Sequence, residues 1–473
     1  MTTKQKYSAY PVDYRAKEMA IIARWILAGE SGSVIGLGGA GKSNFLAFLC
    51  KRHEVLANYL APAEKQLALV LVDLNNLPND DLNTFFRVIL RSFYEAQPQL
   101  SHLEPKLVEA VEQLYRKVEE KTDPFLSQSA LRELLLHFQA YETRVVLVFD
   151  PFDRFCQTAS PQMLDNLRGL RDGFKSTLSY LAGLRYDLPH LVKSINTTEV
   201  YEILDTHRCW LGTMSEDDAA WVISQRETAT GQTFMPEMRK RLIELTGGYP
   251  ALLRAASLWM AGMHLSGDVP DMADWDDLLF AESTIQNRLI DLRQGLTGVE
   301  EATLFALQTT LSLKSSKDRQ ESLRQIVDKY GNSLAELVNK GLCLGPDAGW
   351  QLSSPLIARF VLAMEGVSSG GVWRDSVTGR FYQGEAELGN LTKKERQLLG
   401  FFLENPQKIC TIDHLIEGAW VEEVADGVSD ETVQQTIRQV RKKIELNPAK
   451  PRYVVTVRGE GYYFDPDGSP SQS

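Results

Sequence analysis

One stretch of the chain has the residue types and spacing for phosphate chemistry. Gly36-Leu37-Gly38-Gly39-Ala40-Gly41-Lys42-Ser43 follows the pattern G-x-x-x-x-G-K-[S/T]. Glycines there let backbone N–H groups wrap phosphate oxygens, the lysine reaches the β- and γ-phosphates, and the hydroxyl binds Mg²⁺. Gly36, Gly38, Gly39, Ala40, Gly41, Lys42, Ser43 and Asn44 are therefore the expected nucleotide cradle. A helix starting near Lys42 would point its positive dipole end at the anion. The second half of such a site follows downstream in Val145-Val146-Leu147-Val148-Phe149-Asp150-Pro151-Phe152-Asp153. A buried apolar strand would deliver Asp150 to its carboxyl end, where α/β sheets bind ligands. Asp150, with Ser43, is the expected Mg²⁺ holder. Asp153 could orient the attacking water, or simply cap the helix that follows. Lys42, Asp150 and Asp153 are thus the candidate catalytic residues, with ATP or ADP and Mg²⁺ as cofactors.

A different chemistry stands near the other end. Val433, Ile437, Val440 and Ile444 recur at i, i+4, i+7 and i+11, one apolar stripe of a helix. Gln434, Gln435, Arg438, Arg441 and Lys442 fall on its other faces. Glutamine can read adenine and arginine guanine by paired hydrogen bonds in the major groove. Lysines such as Lys443 more often neutralise phosphates. Arg458, in a hairpin-like stretch, suits a minor-groove or phosphate contact. Arg438, Arg441, Lys442, Lys443, Lys450, Arg452 and Arg458 face only Glu445 and, just beyond, Glu460. The plain alternative is a solvated charged helix face.

The elements that must position these residues can be read from periodicity. Apolar strand-like runs at 33–36, 67–74, 145–149, 179–184 and 209–211 alternate with amphipathic helical stretches. That alternation predicts an α/β domain with a parallel sheet and helices on both faces. Residues 215–263 turn helical, mainly 216–227 and 236–260. Helices and then a hairpin are expected over 296–364, with arms 342–344 and 350–352 around Pro346-Asp347-Ala348-Gly349. Gly366-Val367-Ser368-Ser369-Gly370-Gly371 has a linker's composition. The last hundred or so residues read as another helical unit ending in a β-hairpin, with a disordered tail after Asp465.

Composition sets the limits. At 473 residues the chain is too long for one core. Its hydrophobic content of 44% and charged content of 24% are those of a globular protein. A formal net charge of -11 argues against general polyanion binding, so nucleic-acid contact requires a local basic patch. Cys50, Cys156, Cys209, Cys343 and Cys410 lie far apart, without a CxxC pair, and read as reduced thiols. The first residues lack a signal peptide's apolar core, and no run of about 18 apolar residues suggests a membrane span. A cytoplasmic protein is expected.

The nucleotide motifs resemble those of the STAND class, signal-transducing relatives of AAA+ ATPases. Tyr14-Arg15-Ala16-Lys17-Glu18 is similar to that class's hhGRExE motif near the adenine, with Tyr14 in place of the expected glycine. The resemblance implies nucleotide contact by Arg15, a γ-phosphate-sensing role for Arg185, and a lid motif GxP at Gly248-Tyr249-Pro250 in which Pro250 touches nucleotide. The stretch from Gly341 to Leu356 looks like the winged-helix subdomain that follows the lid in this class. The stretch from Val372 to Phe464 closely resembles the DNA-binding domain of OmpR/PhoB-type regulators. Leu391-Thr392-Lys393-Lys394-Glu395 opens its first helix with a capping box, and Arg452-Tyr453-Val454-Val455-Thr456-Val457-Arg458-Gly459 matches its wing.

Together these readings give a P-loop domain over 1–213, a helical lid over 214–285, a winged helix over 286–365, a linker over 366–372, and a second winged helix over 373–465. The expected function is a transcription regulator whose ATP or ADP state controls assembly or binding to double-stranded DNA. It would be a slow ATPase acting as a switch, with nucleotide-dependent homo-oligomers. Residues 421–429 correspond to a loop that can touch RNA polymerase in relatives. The phosphorylatable receiver of response regulators is replaced here by the ATPase. Alternatives are a defence or stress-response NTPase, or an ATPase loading a partner on DNA.

Overall fold

The computed structural model describes residues 7, 9–59, 66–78, 81–119, 123–186, 198–267, 269–363, 371–375, 378–384, 386–389, 391–420, 427–445, 448, 451–457 and 459–468. They form two compact units, 1–292 with 339–342, and 293–338 with 343–473.

The first unit is built on β1 (Gly32–Ile35), β2 (Leu67–Asp73), β3 (Arg144–Asp150), β4 (Leu178–Leu184) and β5 (Arg208–Trp210). All five strand-like runs of the sequence are there. They make one parallel sheet in the order β2-β3-β4-β1-β5. β1 and β4 are buried throughout, and β3 from Val145 on. That is why they read as continuous apolar runs and not as alternating ones. Phe85, Ile89, Leu134, Phe138, Leu164 and Leu167 of flanking helices join β-strand residues such as Val70, Leu147 and Tyr180 in one core. Phe45, Leu46 and Phe48 bury the helix Lys42–Lys51. Because the strands are parallel, β1, β3 and β4 all end on the same edge, where the functional side chains gather.

Three helices follow, Glu216–Thr230, Pro236–Thr246 and Pro250–Ser266. Ser215 caps the first by accepting the Asp218 N–H at 3.1 Å. Gly247 and Gly248 both have positive φ, 60° and 67°, and Pro250 then opens the next helix. The Gly-Gly-Tyr-Pro sequence is thus a reversal that only glycine makes without strain, with a proline pre-set for a helical first turn.

In the second unit, the helix Gly298–Leu311 starts at a Thr297–Glu300 capping box. β6 (Cys343–Leu344) and β7 (Gln351–Leu352) form the expected hairpin around a short helical turn, Pro346–Ala348. The C-terminal domain adds a small antiparallel sheet of β8 (Val372–Arg374), β9 (Phe381–Gln383) and β10 (Ala386–Glu387). Helices Lys393–Glu404, Ile412–Ala419 and Asp430–Ile444 come next, then the sheet of β11 (Ile409–Cys410), β12 (Val454–Val457) and β13 (Gly461–Phe464). Its core includes Leu398, Leu399, Phe402, Trp420 and the whole stripe Val433, Ile437, Val440, Ile444.

One expectation changes here. Val372 is a strand residue and not linker, while residues 364–370 lie outside the described ones. Of the expected tail, residues 466–468 are described and 469–473 lie outside the described ones. Val372 N–H donates to the Pro466 carbonyl at 2.6 Å, and Gly468 N–H to the Asp465 carbonyl at 3.1 Å. A side chain on Gly468 would strike the Tyr453 ring at 2.4 Å.

Candidate functional site

The loop after β1 is shaped by its glycines. Gly39 and Gly41 have φ of 81° and 88°, a conformation that favours glycine. Gly41 is the N-cap of the helix Lys42–Lys51. Close approach matters as much as conformation. A Cβ on Gly39 would lie 2.4 Å from the Ala251 methyl, and one on Gly38 would lie 3.1 Å from both Arg185 Nη2 and the Asp291 carbonyl oxygen. The Tyr249 hydroxyl donates to the Gly38 carbonyl at 3.1 Å. The loop is therefore overlain by the helix Pro250–Ser266 and by the end of the helix Ser283–Arg293.

Lys42 and Asp150 meet beneath it. Lys42 Nζ lies 2.6 Å from Asp150 Oδ1, with both side chains largely buried. Room for this carboxylate comes from Gly183 on β4, where a Cβ would sit 2.6 Å from Asp150 Oδ1 and 2.7 Å from Leu46 Cδ1. Asp153 lies in the first turn of the helix Phe152–Thr158 and accepts the backbone N–H of Arg185. It thereby ties the end of β3 to the end of β4. Burial pushes its carboxyl above the ordinary carboxylate range, while Lys42 and the Arg185 N–H pull the other way. The Arg185 guanidinium donates to the Asp291 carbonyl at 2.7 Å.

These residues border a cavity of about 630 Å³, within the ~300–1,000 Å³ usual for ligand sites. Gly36, Gly38, Gly39, Gly41, Lys42, Ser43, Asn44, Asp153 and Arg185 line it, as do Arg226, Arg254 and Arg288. Lys42, Arg185, Arg226, Arg254 and Arg288 make five cations against the single carboxylate of Asp153 on its wall. Such a surplus in a partly enclosed space favours a polyanion. The last three arginines were not foreseen from sequence. Arg254 stands one helical turn after Pro250, a spacing that could have suggested it.

Ala40, Asp150 and Pro250 are not on the cavity wall, although Pro250 Cβ comes within 3.9 Å of a Cβ placed on Gly41. Arg15 is also elsewhere. It is buried at φ 55°, its guanidinium donates to the carbonyls of Gly212 and Thr213 at 2.9 and 2.8 Å, and its N–H points to Asp218. It pins the start of the helix Ala16–Ala28 to the chain entering the lid helices.

The residues suit a Mg²⁺–nucleotide. Hydroxyl and carboxylate oxygens, as on Ser43 and Asp150, are the donors Mg²⁺ takes. In this structure Asp150 already holds a cation, the Lys42 ammonium.

The second candidate site is the helix Asp430–Ile444. Gln435, Arg438 and Lys442 are exposed, at i, i+3 and i+7, opposite the buried stripe. Gln434 is half-buried. Arg441 and Lys443 have internal partners. Arg441 donates to the Val454 carbonyl at 2.8 Å and to Thr456 Oγ1 at 2.9 Å, and Lys443 Nζ meets Glu395 Oε2 at 2.6 Å. Glu445, at the helix's end, is buried and accepts the N–H groups of Arg452, Tyr453 and Val454 at 2.7, 2.8 and 2.9 Å. It fastens β12 to the helix. Arg458 lies outside the described residues.

The parallel sheet, the glycine loop, Lys42 and Asp150 give the first unit the geometry of a P-loop nucleotide-binding fold. Residues 386–464 match the family described as "Transcriptional regulatory protein, C terminal". Over 76 residues the chain is 43% identical to a probable transcriptional regulatory protein of Picosynechococcus, covering 16% of this chain and 29% of that one. Over 73 residues it is 40% identical to the alkaline phosphatase synthesis transcriptional regulatory protein SphR of Synechococcus elongatus, covering 15% and 27%. The chain thus spans under a third of the length of these relatives. Among solved structures, a Walker-type ATPase of Pyrococcus abyssi overlaps 74% of this chain and 95% of its own, at 14% identity and a TM-score of 0.44. Among the described residues no helix is long and apolar enough to cross a membrane.

Proposed function

We propose that the protein is a cytoplasmic transcription regulator of the STAND class, in which ATP or ADP in the first unit governs DNA binding or self-assembly through the C-terminal winged helix. The observation that carries this reading is the cavity in which the P-loop, the end of β4 and three helical arginines face one space. Mg²⁺–ATP bound there would supply a phosphoanhydride whose loss distinguishes two states. Lys42 and the loop N–H groups would hold its phosphates, and Ser43 and Asp150 would hold the metal ion. Asp153 would orient water, and Arg185, Arg226, Arg254 and Arg288 would compensate the remaining charge.

On the DNA side, Gln435 and Arg438 are the exposed groups suited to base edges, and Lys442 suits a phosphate. Association of subunits would place several winged helices on repeated half-sites and multiply affinity without new base contacts. Contact with RNA polymerase belongs to the same proposal.

The test is fluorescence anisotropy on labelled duplexes pooled from the source genome, across a salt series, with ADP, a non-hydrolysable ATP analogue, and Lys42→Ala. Tighter, salt-sensitive binding with the analogue, absent in Lys42→Ala, is expected. Equal affinity in every nucleotide state would refute the switch.

A further inference from the structure

The rotation of the helix Ser283–Arg293 is fixed by its buried side. Ile285, Leu289 and Leu292 are 0%, 1% and 3% exposed. They stand at i, i+4 and i+7, the spacing of one helix face. Thr284, Arg288 and Asp291 have the same spacing on the adjoining face, and Thr284 and Arg288 line the cavity. All six residues belong to the first unit. Asp291 holds two guanidiniums at once. Its carbonyl accepts Arg185 Nη2 at 2.7 Å, and its carboxylate Oδ2 lies 3.3 Å from Arg288 Nη1. The place is the glycine loop itself, since a Cβ on Gly38 would come within 3.1 Å of both Arg185 Nη2 and the Asp291 carbonyl oxygen.

Neither guanidinium is used up by Asp291. Arg185 Nε is buried and has no hydrogen-bond partner among the described residues. A buried donor left unpaired is costly, and a ligand oxygen would satisfy it. Arg288 meets the Asp291 carboxylate in an i,i+3 pair whose side chains are 53% and 32% exposed. Pairs of this kind contribute little. The guanidinium can therefore exchange that carboxylate for a phosphate, which it can grip with two parallel N–H groups. Lys42 by contrast is already engaged with Asp150. During phosphoryl transfer, charge spreads over the three outer oxygens of the terminal phosphate, and arginine is the side chain that commonly compensates it.

We propose that Arg288 and Arg185, gathered by Asp291, are the charge-compensating pair for the terminal phosphate of a bound nucleoside triphosphate. One chain then completes its own hydrolytic site, without an arginine from a second copy. The pair rests on the nucleotide reading above. In that hydrolysis the water oxygen bonds to the terminal phosphorus, the bond from phosphorus to the bridging oxygen breaks, and one water proton is released, giving ADP and inorganic phosphate.

The test is titration of the full chain with ADP and with a non-hydrolysable ATP analogue, each with Mg²⁺, alongside ATP turnover. Arg288→Ala should bind ADP as the wild type does and the analogue about tenfold more weakly, the loss of one charge-assisted contact. Its kcat should fall by about tenfold or more, less than for a sole arginine because Arg185 remains. Arg288→Lys should recover part of both. Mixing Arg288→Ala with an excess of Lys42→Ala chains then separates one chain from two. The added chains carry an intact Arg288 beside a disabled P-loop, so analogue affinity and turnover should not recover. Recovery would overturn the self-contained site. Equal weakening for ADP and the analogue, or no change for either, would remove Arg288 from the terminal phosphate. A wild type that binds neither nucleotide refutes the nucleotide site itself, and the pair with it.

Discussion

Replacing Gly183 by alanine isolates what holds Asp150 in place. Gly183 has no positive φ, so the backbone accepts alanine and only space is at issue. The new methyl would meet Asp150 Oδ1 at 2.6 Å and Leu46 Cδ1 at 2.7 Å. Ordinary contact begins nearer 3.4 Å. Leu46 is fully buried on the helix Lys42–Lys51, and Asp150 is tied to Lys42, so neither can yield cheaply. Overpacking of this kind costs about 1–3 kcal/mol. If half or more of that falls on the position of Asp150, Mg²⁺-dependent nucleotide affinity drops by roughly three- to tenfold or more. Urea unfolding followed in the first unit, and titration with a fluorescent nucleotide with and without Mg²⁺, would read both effects. Gly169→Ala is the control. It lies in the helix Pro161–Gly173 with nothing within 4 Å of its would-be Cβ, so the same change should stabilise by up to about 1 kcal/mol. A Gly183 variant that behaves like the Gly169 variant would refute the argument that β4 makes room for the aspartate.

Other consequences can be tested alongside. Glu445→Ala should unfold the C-terminal domain more readily by about 2–4 kcal/mol, since three backbone N–H donors lose their carboxylate acceptor at a buried site; thermal melting of the full chain would show this as an earlier C-terminal transition. Arg438→Ala should weaken duplex binding without altering that transition, whereas Arg441→Ala should affect both, because Arg441 also anchors β12. Anisotropy and melting on the same samples separate the two outcomes. Asp153 has its carboxyl raised above 3.8 by burial in the folded state. The folded chain thus keeps that proton longer, and its contribution to stability falls as pH rises from about 3.8 through the folded value. Asp153→Asn should remove this part of the slope in urea-derived stability against pH, and an unchanged slope would count against the burial argument.

The parts legible in the sequence are those that a period or a fixed spacing encodes. Strands buried on both faces must be apolar at every position, and β3 and β4 were visible for that reason. The stripe Val433, Ile437, Val440, Ile444 was visible because a helix packed on one side cannot vary there. The small sheet of β8, β9 and β10 was missed because strands of two or three residues carry no period. Charge is the least legible property. Arg226, Arg254 and Arg288 look like any solvated helix arginine until the helices are folded over the glycine loop. Conversely, a count of basic residues cannot separate Arg438, which is exposed, from Lys443, which is paired with Glu395. Arg15, assigned by resemblance to the nucleotide, donates to the carbonyls of Gly212 and Thr213 and to the Glu18 carboxylate.

The Tyr249 hydroxyl on the Gly38 carbonyl and the Ala251 methyl against Gly39 have a kinetic meaning. The helix that carries these contacts lies on the very peptides that would wrap phosphates. A nucleotide in the cradle would meet these contacts on entering and on leaving, so the movement required of that helix would slow both. Under the proposed function, such a chain would keep a record of the last nucleotide it bound, and cellular ATP could fluctuate meanwhile without effect.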